Sequence, residues 1–144
     1  MKIINSSIQL KEELKKIENT FLIPTMGNLH DGHISLIEEA KKLSDNIILS
    51  IFINPIQFDS KIDLESYPRT FSQDLDKLKD TDVKILFHPP IADIYPINSN
   101  LSYKMPPISD ELCGKSRPGH FKGVITVIDR LFELIKPSHA IFGK

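Results

Sequence analysis

Pro24-Thr25-Met26-Gly27-Asn28-Leu29-His30-Asp31-Gly32-His33 is the stretch that decides the fold. The apolar run Phe21-Leu22-Ile23 leads into Pro24, and an amphipathic run with apolar Ile34, Leu36, Ile37, Ala40 and Leu43 follows Gly32, so the decapeptide reads as a strand-to-helix turn. In a parallel sheet, such a turn lies where ligands bind. Its two glycines let backbone approach a bulky anion, and the first amides of the helix are unpaired donors at the positive end of a dipole. That combination suits a phosphate. His30 and His33, three apart, project to one side of the helix start and add two imidazole donors. Taken alone, the pair also reads as two solvated side chains of an ordinary helix start, or, as the weakest reading, half of a zinc site for which no third ligand is evident in the sequence.

Working outward, Ser6 or Ser7 starts an amphipathic helix that places Ile8, Leu10, Leu14 and Ile17 inward, with Ser6 and Gln9 as a capping box. Thr20 to Ile23 is a short strand expected to end at Pro24, which cannot donate to a ladder. The next helix runs from about Asp31, its expected cap, to Leu43. Asn46 to Ile53 is almost continuously apolar and β-branched, as in a strand buried on both faces. Asn54-Pro55-Ile56-Gln57-Phe58 follows at its carboxyl end, placing two amides on the binding edge.

Thr70 and Gln73 form a second expected capping box before a helix carrying Phe71, Leu75 and Leu78 inward. Val83 to Phe87 reads as a strand and Leu101 to Met105 as an edge strand. The basic, Gly-rich stretch from Cys113 to Val124 precedes a long helix with Val124, Val127, Ile128, Leu131, Phe132 and Ile135 at helical spacing. Ala140 to Gly143 is the last strand. Alternating helices and strands predict one α/β domain over residues 1–144, a Rossmann-like parallel sheet with helices on both faces.

Composition narrows the partners. Of the 144 residues 26% are charged and the net charge is −1, so no basic excess argues for nucleic acid. The lone Cys113 excludes an internal disulfide and fits a reducing cytoplasm. The charged N-terminus lacks a signal-peptide core and no apolar run approaches the roughly 18 residues of a membrane span, so a soluble, non-exported protein is expected.

Several of these stretches together resemble one family. The decapeptide is similar to the Thr-Met-Gly-x-Leu-His-x-Gly-His pattern of the pantothenate synthetases, a branch of the His-x-Gly-His nucleotidylyltransferases. Ser50 to Phe58 resembles that family's Ser-Ile-Phe-Val-Asn-Pro-x-Gln-Phe motif, Tyr67 to Thr70 a further block, and Arg117 to Val124 its Arg-Pro-x-His-Phe-x-Gly-Val block. The resemblance implies an ATP-dependent, Mg²⁺-assisted ligase, cytoplasmic and homodimeric, that joins pantoate and β-alanine through pantoyl adenylate. It assigns His33 to the leaving phosphates and Met26, Gly27, Asn28, Leu29, His30, Asp31 and Gly32 to ATP. Gln57 and Asn54 go to pantoate and β-alanine, and Arg117 and His120 to the entrance of the site; no protein metal ligand is implied.

The resemblance also places a Lys-Asp dipeptide, a second glutamine, a Ser-Ser-Arg loop and a C-terminal lid domain beyond Lys144, which falls at a spacer position. The 144 residues are thus expected to fold and hold ATP weakly without making pantothenate. Two other readings stay open: another nucleotidylyltransferase with the same histidines, or a non-catalytic nucleotide-binding module.

Overall fold

The computed structural model describes residues 1–54, 65, 70–95 and 118–141, the last group with side chains from 125 onward. Five strands, β1 (Lys2–Ile4), β2 (Thr20–Thr25), β3 (Asn46–Ile51), β4 (Val83–Phe87) and β5 (His139–Ala140), form one sheet in the order β1-β4-β3-β2-β5. All four pairings are parallel. The chain steps from β2 to β3 to β4 in one direction and returns for β5 on the far side of β2, so the order reverses at β2. The crevice at the carboxyl end of such a strand is where open α/β sheets take ligands.

Strand alternation sorts the core into two layers. Phe21, Ile23, Ile47, Leu49 and Ile51 face α2 (Asp31–Lys41) and α3 (Phe71–Leu78). Leu22, Ile48 and Phe52 face α1 (Ser7–Leu14), α4 (Ile91–Ile94) and α5 (Pro118–Ile135). A strict period of two would put Val83, Ile85 and Phe87 on one face, but the register slips by one residue, so that Ile47 opposes Val83 and Ile48 opposes Ile85. Val83 and Leu86 therefore join the first layer, and Ile85 and Phe87 the second.

The expected strand end at Pro24 is corrected: β2 continues to Thr25, with Pro24 opposite Ser50. Backbone groups of Thr20 and Leu22 point toward β5, accepting from Ser138 and Ile141, so Pro24 points the same way. The β5 ladder ends at Leu22 and Ala140, and the proline's missing N–H breaks no described pairing. β1 is an element the sequence did not disclose; three residues are too few for a period.

Ser6 does cap α1, its hydroxyl accepting from the Gln9 amide at 3.1 Å. Ile8, however, is 78% exposed rather than inward, while Leu10 is fully buried. Leu43 lies beyond the end of α2 and is also exposed. Thr70 makes no capping bond at the start of α3. In α5 the buried residues include Val127, Leu131, Leu134 and Ile135, whereas Phe132 is partly outward. Leu101 to Met105 lies outside the described residues. Among the described residues no helix is long and apolar enough to cross a membrane.

Candidate functional site

At the end of β2 the Thr25 hydroxyl donates to the Ser50 carbonyl (2.9 Å) and accepts from the Gly27 amide (3.2 Å), which starts the turn. Gly27 and Asn28 then adopt φ of 80° and 51°, both left-handed. Glycine is required at the first of these. A Cβ at Gly27 would stand 3.2 Å from Asp74 Oδ2 and 3.3 Å from Ile51 Cγ2, in addition to the strain of positive φ.

Asp74 reaches the turn from α3 and is 1% exposed. Its Oδ2 accepts from the Asn28 amide (3.0 Å) and the Thr70 hydroxyl (3.1 Å), and its Oδ1 from the Leu29 amide (2.8 Å). Lys77, one turn along α3, donates to the Leu29 carbonyl. With the Leu29 side chain buried in the first core layer, the turn is held from three directions.

His30, and not Asp31 as expected, is the N-cap of α2. Its Nδ1 accepts from the Gly32 amide (3.0 Å), while His33 Nδ1 accepts from the His30 amide (3.2 Å), so two imidazoles make a reciprocal capping box. A nitrogen that accepts carries no proton, and the hydrogen-bond network therefore assigns both rings as Nε2–H tautomers. The rings lie 4.1 Å apart at 45°. Burial, then the neighbouring His30, pushes the His33 pKa down, with Lys77 acting the same way and Asp74 opposing. With both Nδ1 atoms accepting, the Nε2–H edges of the two rings are left as donors at the positive end of α2.

The amides expected to meet a phosphate are engaged within the protein here. Those of Gly27, Asn28, Leu29, His30 and Gly32 bond to side chains, and that of His33 to the His30 carbonyl. The exposed residues of the turn are Asn28, His30, Asp31 and Gly32, with His33 half-buried. Among the described residues no group of three or more His, Cys, Asp or Glu converges on a metal position.

Beside the turn lies a cavity of about 750 Å³ whose lining includes Met26, Gly27, Asp74, Asn5, Phe71 and His88 but neither His30 nor His33. It falls within the range of about 300–1,000 Å³ typical of small-molecule sites. His88 stacks on Phe71 with centroids 4.3 Å apart, and burial lowers its pKa. Asn54 is fully buried at the end of β3, its Oδ1 accepting from the Tyr95 hydroxyl at 2.8 Å. Gln57, Arg117 and Lys144 lie outside the described residues; His120 is in α5 by its backbone, and its side chain lies outside.

Asp74, Thr70 and Lys77 went unread as site residues. The available signal was an aspartate on the inward stripe Phe71, Asp74, Leu75, Leu78, where a charge is expected only if it is bonded on several sides.

The depressed histidines have a consequence for stability. Their folded pKa values lie below the ordinary 6.5, so as pH falls the unfolded chain takes up protons first. Stability from neutral His33 and His88 is full above about pH 6.5 and declines below it. Thermal melts are expected to give a lower Tm at about pH 5.5 than at about pH 7.5. In the His88→Asn variant part of that decline should persist, because protonating His33 at Nδ1 breaks the cap; no decline at all would contradict the lowered pKa of His33.

The family model for pantoate-beta-alanine ligase matches residues 2–144. Pantothenate synthetase of Neisseria meningitidis is 45% identical over 145 residues, covering all of this chain and 52% of that protein. That of Laribacter hongkongensis is 46% identical with the same coverage. A crystal structure of the Francisella tularensis pantoate-beta-alanine ligase, complexed with beta-gamma ATP and beta-alanine, superposes with a TM-score of 0.89 at 41% identity. It covers 97% of this chain and 55% of that one. The Thermus thermophilus pantothenate synthetase has a TM-score of 0.87 at 35% identity, over 97% and 51% of the two chains. The chain spans about half the length of the relatives it matches. It belongs to the pantoate-beta-alanine ligase family.

Proposed function

We propose that this member of the pantoate-beta-alanine ligase family binds ATP at residues 26–33 and serves the joining of pantoate to β-alanine through pantoyl adenylate. The observation that carries the reading is the reciprocal imidazole cap at the positive end of α2, in which both Nδ1 atoms accept and leave two Nε2–H donors, in the same turn whose Met26 and Gly27 line the cavity. The Francisella tularensis relative, with a nucleotide and β-alanine in its crystal structure, supports it.

In the first step a pantoate carboxylate oxygen bonds to the α-phosphorus of ATP and the bond to the β-phosphate oxygen breaks, releasing pyrophosphate. The β-alanine amine then attacks the acyl carbon, AMP leaves, and the amine loses a proton to give the amide. No covalent nucleophile is needed from the protein; the barrier falls through positioning and through donors aimed at charge developing on the departing phosphates. His33 is assigned to that charge and His30 to its neighbouring oxygens. Met26, Gly27, Asn28, Asp31 and Gly32 form the nucleotide wall, and Leu29, buried in the core, anchors it from behind. Asn54 and Gln57 serve pantoate and β-alanine, and Arg117 and His120 stand at the entrance.

Mg²⁺ is assigned no protein ligands and no step. The oxygens of Asp74 are already bonded, and a hard cation that keeps phosphate and water oxygens would travel with ATP. A cytoplasmic homodimer belongs to the same proposal, resting on family resemblance.

The test is exchange of labelled pyrophosphate into ATP by the natural full-length protein. Exchange is expected only with pantoate present and without need of β-alanine. Equal exchange with unrelated acids would point to another nucleotidylyl transfer, and ATP binding without exchange to a non-catalytic module. Gln57→Ala is expected to weaken pantoate by about 1.5–3 kcal/mol, the scale of a hydrogen bond to a charged group. ATP affinity should hardly change in calorimetry; equal loss for both ligands would count against the assignment.

A further inference from the structure

We propose that Asp74 is the positioning residue of the histidine pair: its carboxylate serves as an internal anion for the amides of the signature turn and so fixes the backbone from which His30 and His33 project. The inference rests on the nucleotide reading of that turn. A buried carboxylate directly behind an anion site is unfavourable by charge alone, since it repels the phosphates the site is to hold. Its presence there calls for a geometric reason. Left-handed φ at Gly27 and Asn28 aims successive amides into one concavity, which attracts an anion. Asp74 fills that concavity with two bonds of 3.0 and 2.8 Å to Asn28 and Leu29, and the Thr70 hydroxyl at 3.1 Å steadies it.

The next residue after this anchored pair is His30, the cap of α2, whose own amide is the donor to His33 Nδ1. An error in the direction of the Leu29–His30 peptide therefore propagates into both capping bonds and into the tautomer of each ring. Asp74 has a second influence on the pair, because its charge raises the proton affinity of His33 while burial, His30 and Lys77 lower it. Gly27 completes the arrangement, since a Cβ there would stand 3.2 Å from Asp74 Oδ2.

The test uses Asp74→Asn, which keeps shape but replaces one acceptor oxygen with a donor, so one turn amide loses its partner. Imidazole ¹⁵N spectra of the 144-residue chain read the tautomers without reference to any ligand, and calorimetry reads ATP affinity. Folded Asp74→Asn is expected to show mixed tautomers at His30 and His33 and an ATP Kd raised about tenfold. Leu75→Ala, which trims the same helix but removes no hydrogen bond to the turn, should leave the tautomers pure. Asp74→Asn with unchanged tautomers and Kd overturns the proposal, as does equal mixing in Leu75→Ala. Should Asp74→Asn fail to fold, Thr70→Val removes only the steadying hydroxyl; exchange of the Asn28 and Leu29 amides should then quicken about threefold or more, and unchanged exchange overturns the proposal. If the unaltered chain shows pure Nε2–H tautomers but binds no ATP, the nucleotide reading fails while the positioning role is still judged by the spectra.

Discussion

Replacing His33 with alanine is expected to lower pantoate-dependent pyrophosphate release by about 10²–10³-fold, the scale for loss of one oriented donor to developing charge. The ring does two things: its Nε2–H is left as a donor, and its Nδ1 accepts from the His30 amide to close the cap of α2. Loss of a cap costs about 0.5–2 kcal/mol, which leaves most small domains folded. His33→Gln separates the two roles, since a glutamine oxygen at this third helical position completes an ordinary capping box. It is expected to restore the Tm but not the turnover. A His33→Gln protein with near-normal pyrophosphate release would show that the cap, not the donor, is what the reaction uses.

The largest expected loss of stability is at Leu22→Ala, about 2–5 kcal/mol for a buried leucine that the site cannot collapse around. Leu22 is fully buried in β2, between the two strands on its flanks, and packs in the layer beneath α1 and α5. Set against a total of roughly 5–15 kcal/mol for a domain, a loss of that size populates the unfolded chain measurably. Urea unfolding is the check. The same measurement on Ile8→Ala should move stability by no more than about 0.5 kcal/mol, because Ile8 stands in solvent. A Leu22→Ala loss no greater than that of Ile8→Ala would contradict the packing of β2.

The contrast between these two residues marks how far the sequence could be read. β2, β3 and β4 were legible because each is a short apolar run, and the turn after β2 because glycines and histidines cluster between a strand pattern and a helix pattern. Ile8 misled because an eight-residue helix has too few turns for its apolar stripe to point unambiguously. Pro24 misled for a different reason: whether its missing donor breaks a ladder depends on which neighbour the strand faces at that residue, a property of strand order. The face change within β4 comes from a one-residue slip against β3, which local pattern cannot record.

At the site, sequence reasoning placed the histidines together and at a helix start, and the structure brings them into contact there. It did not disclose that they cap one another through Nδ1, since the direction of a ring is set by the backbone of the turn. Nor did it disclose Asp74, which is 46 residues from Asn28 in the chain and meets it only once α3 is packed on the sheet. A capping box was expected of Thr70, and its hydroxyl is instead turned to Asp74, the stronger acceptor nearby.

The most direct measurement of nucleotide binding at this turn is a titration of the 144-residue chain with ATP, followed in the imidazole ¹⁵N and ¹³C signals of its five histidines. The Nε2 signals of His30 and His33 are expected to move together and saturate, with their Nδ1 signals still those of unprotonated acceptors, while His139 at the amino end of β5 stays unmoved. Saturable shifts at His88 with none at His30 and His33 would place the nucleotide across the Phe71 stack instead, and would contradict phosphate binding by the imidazole cap.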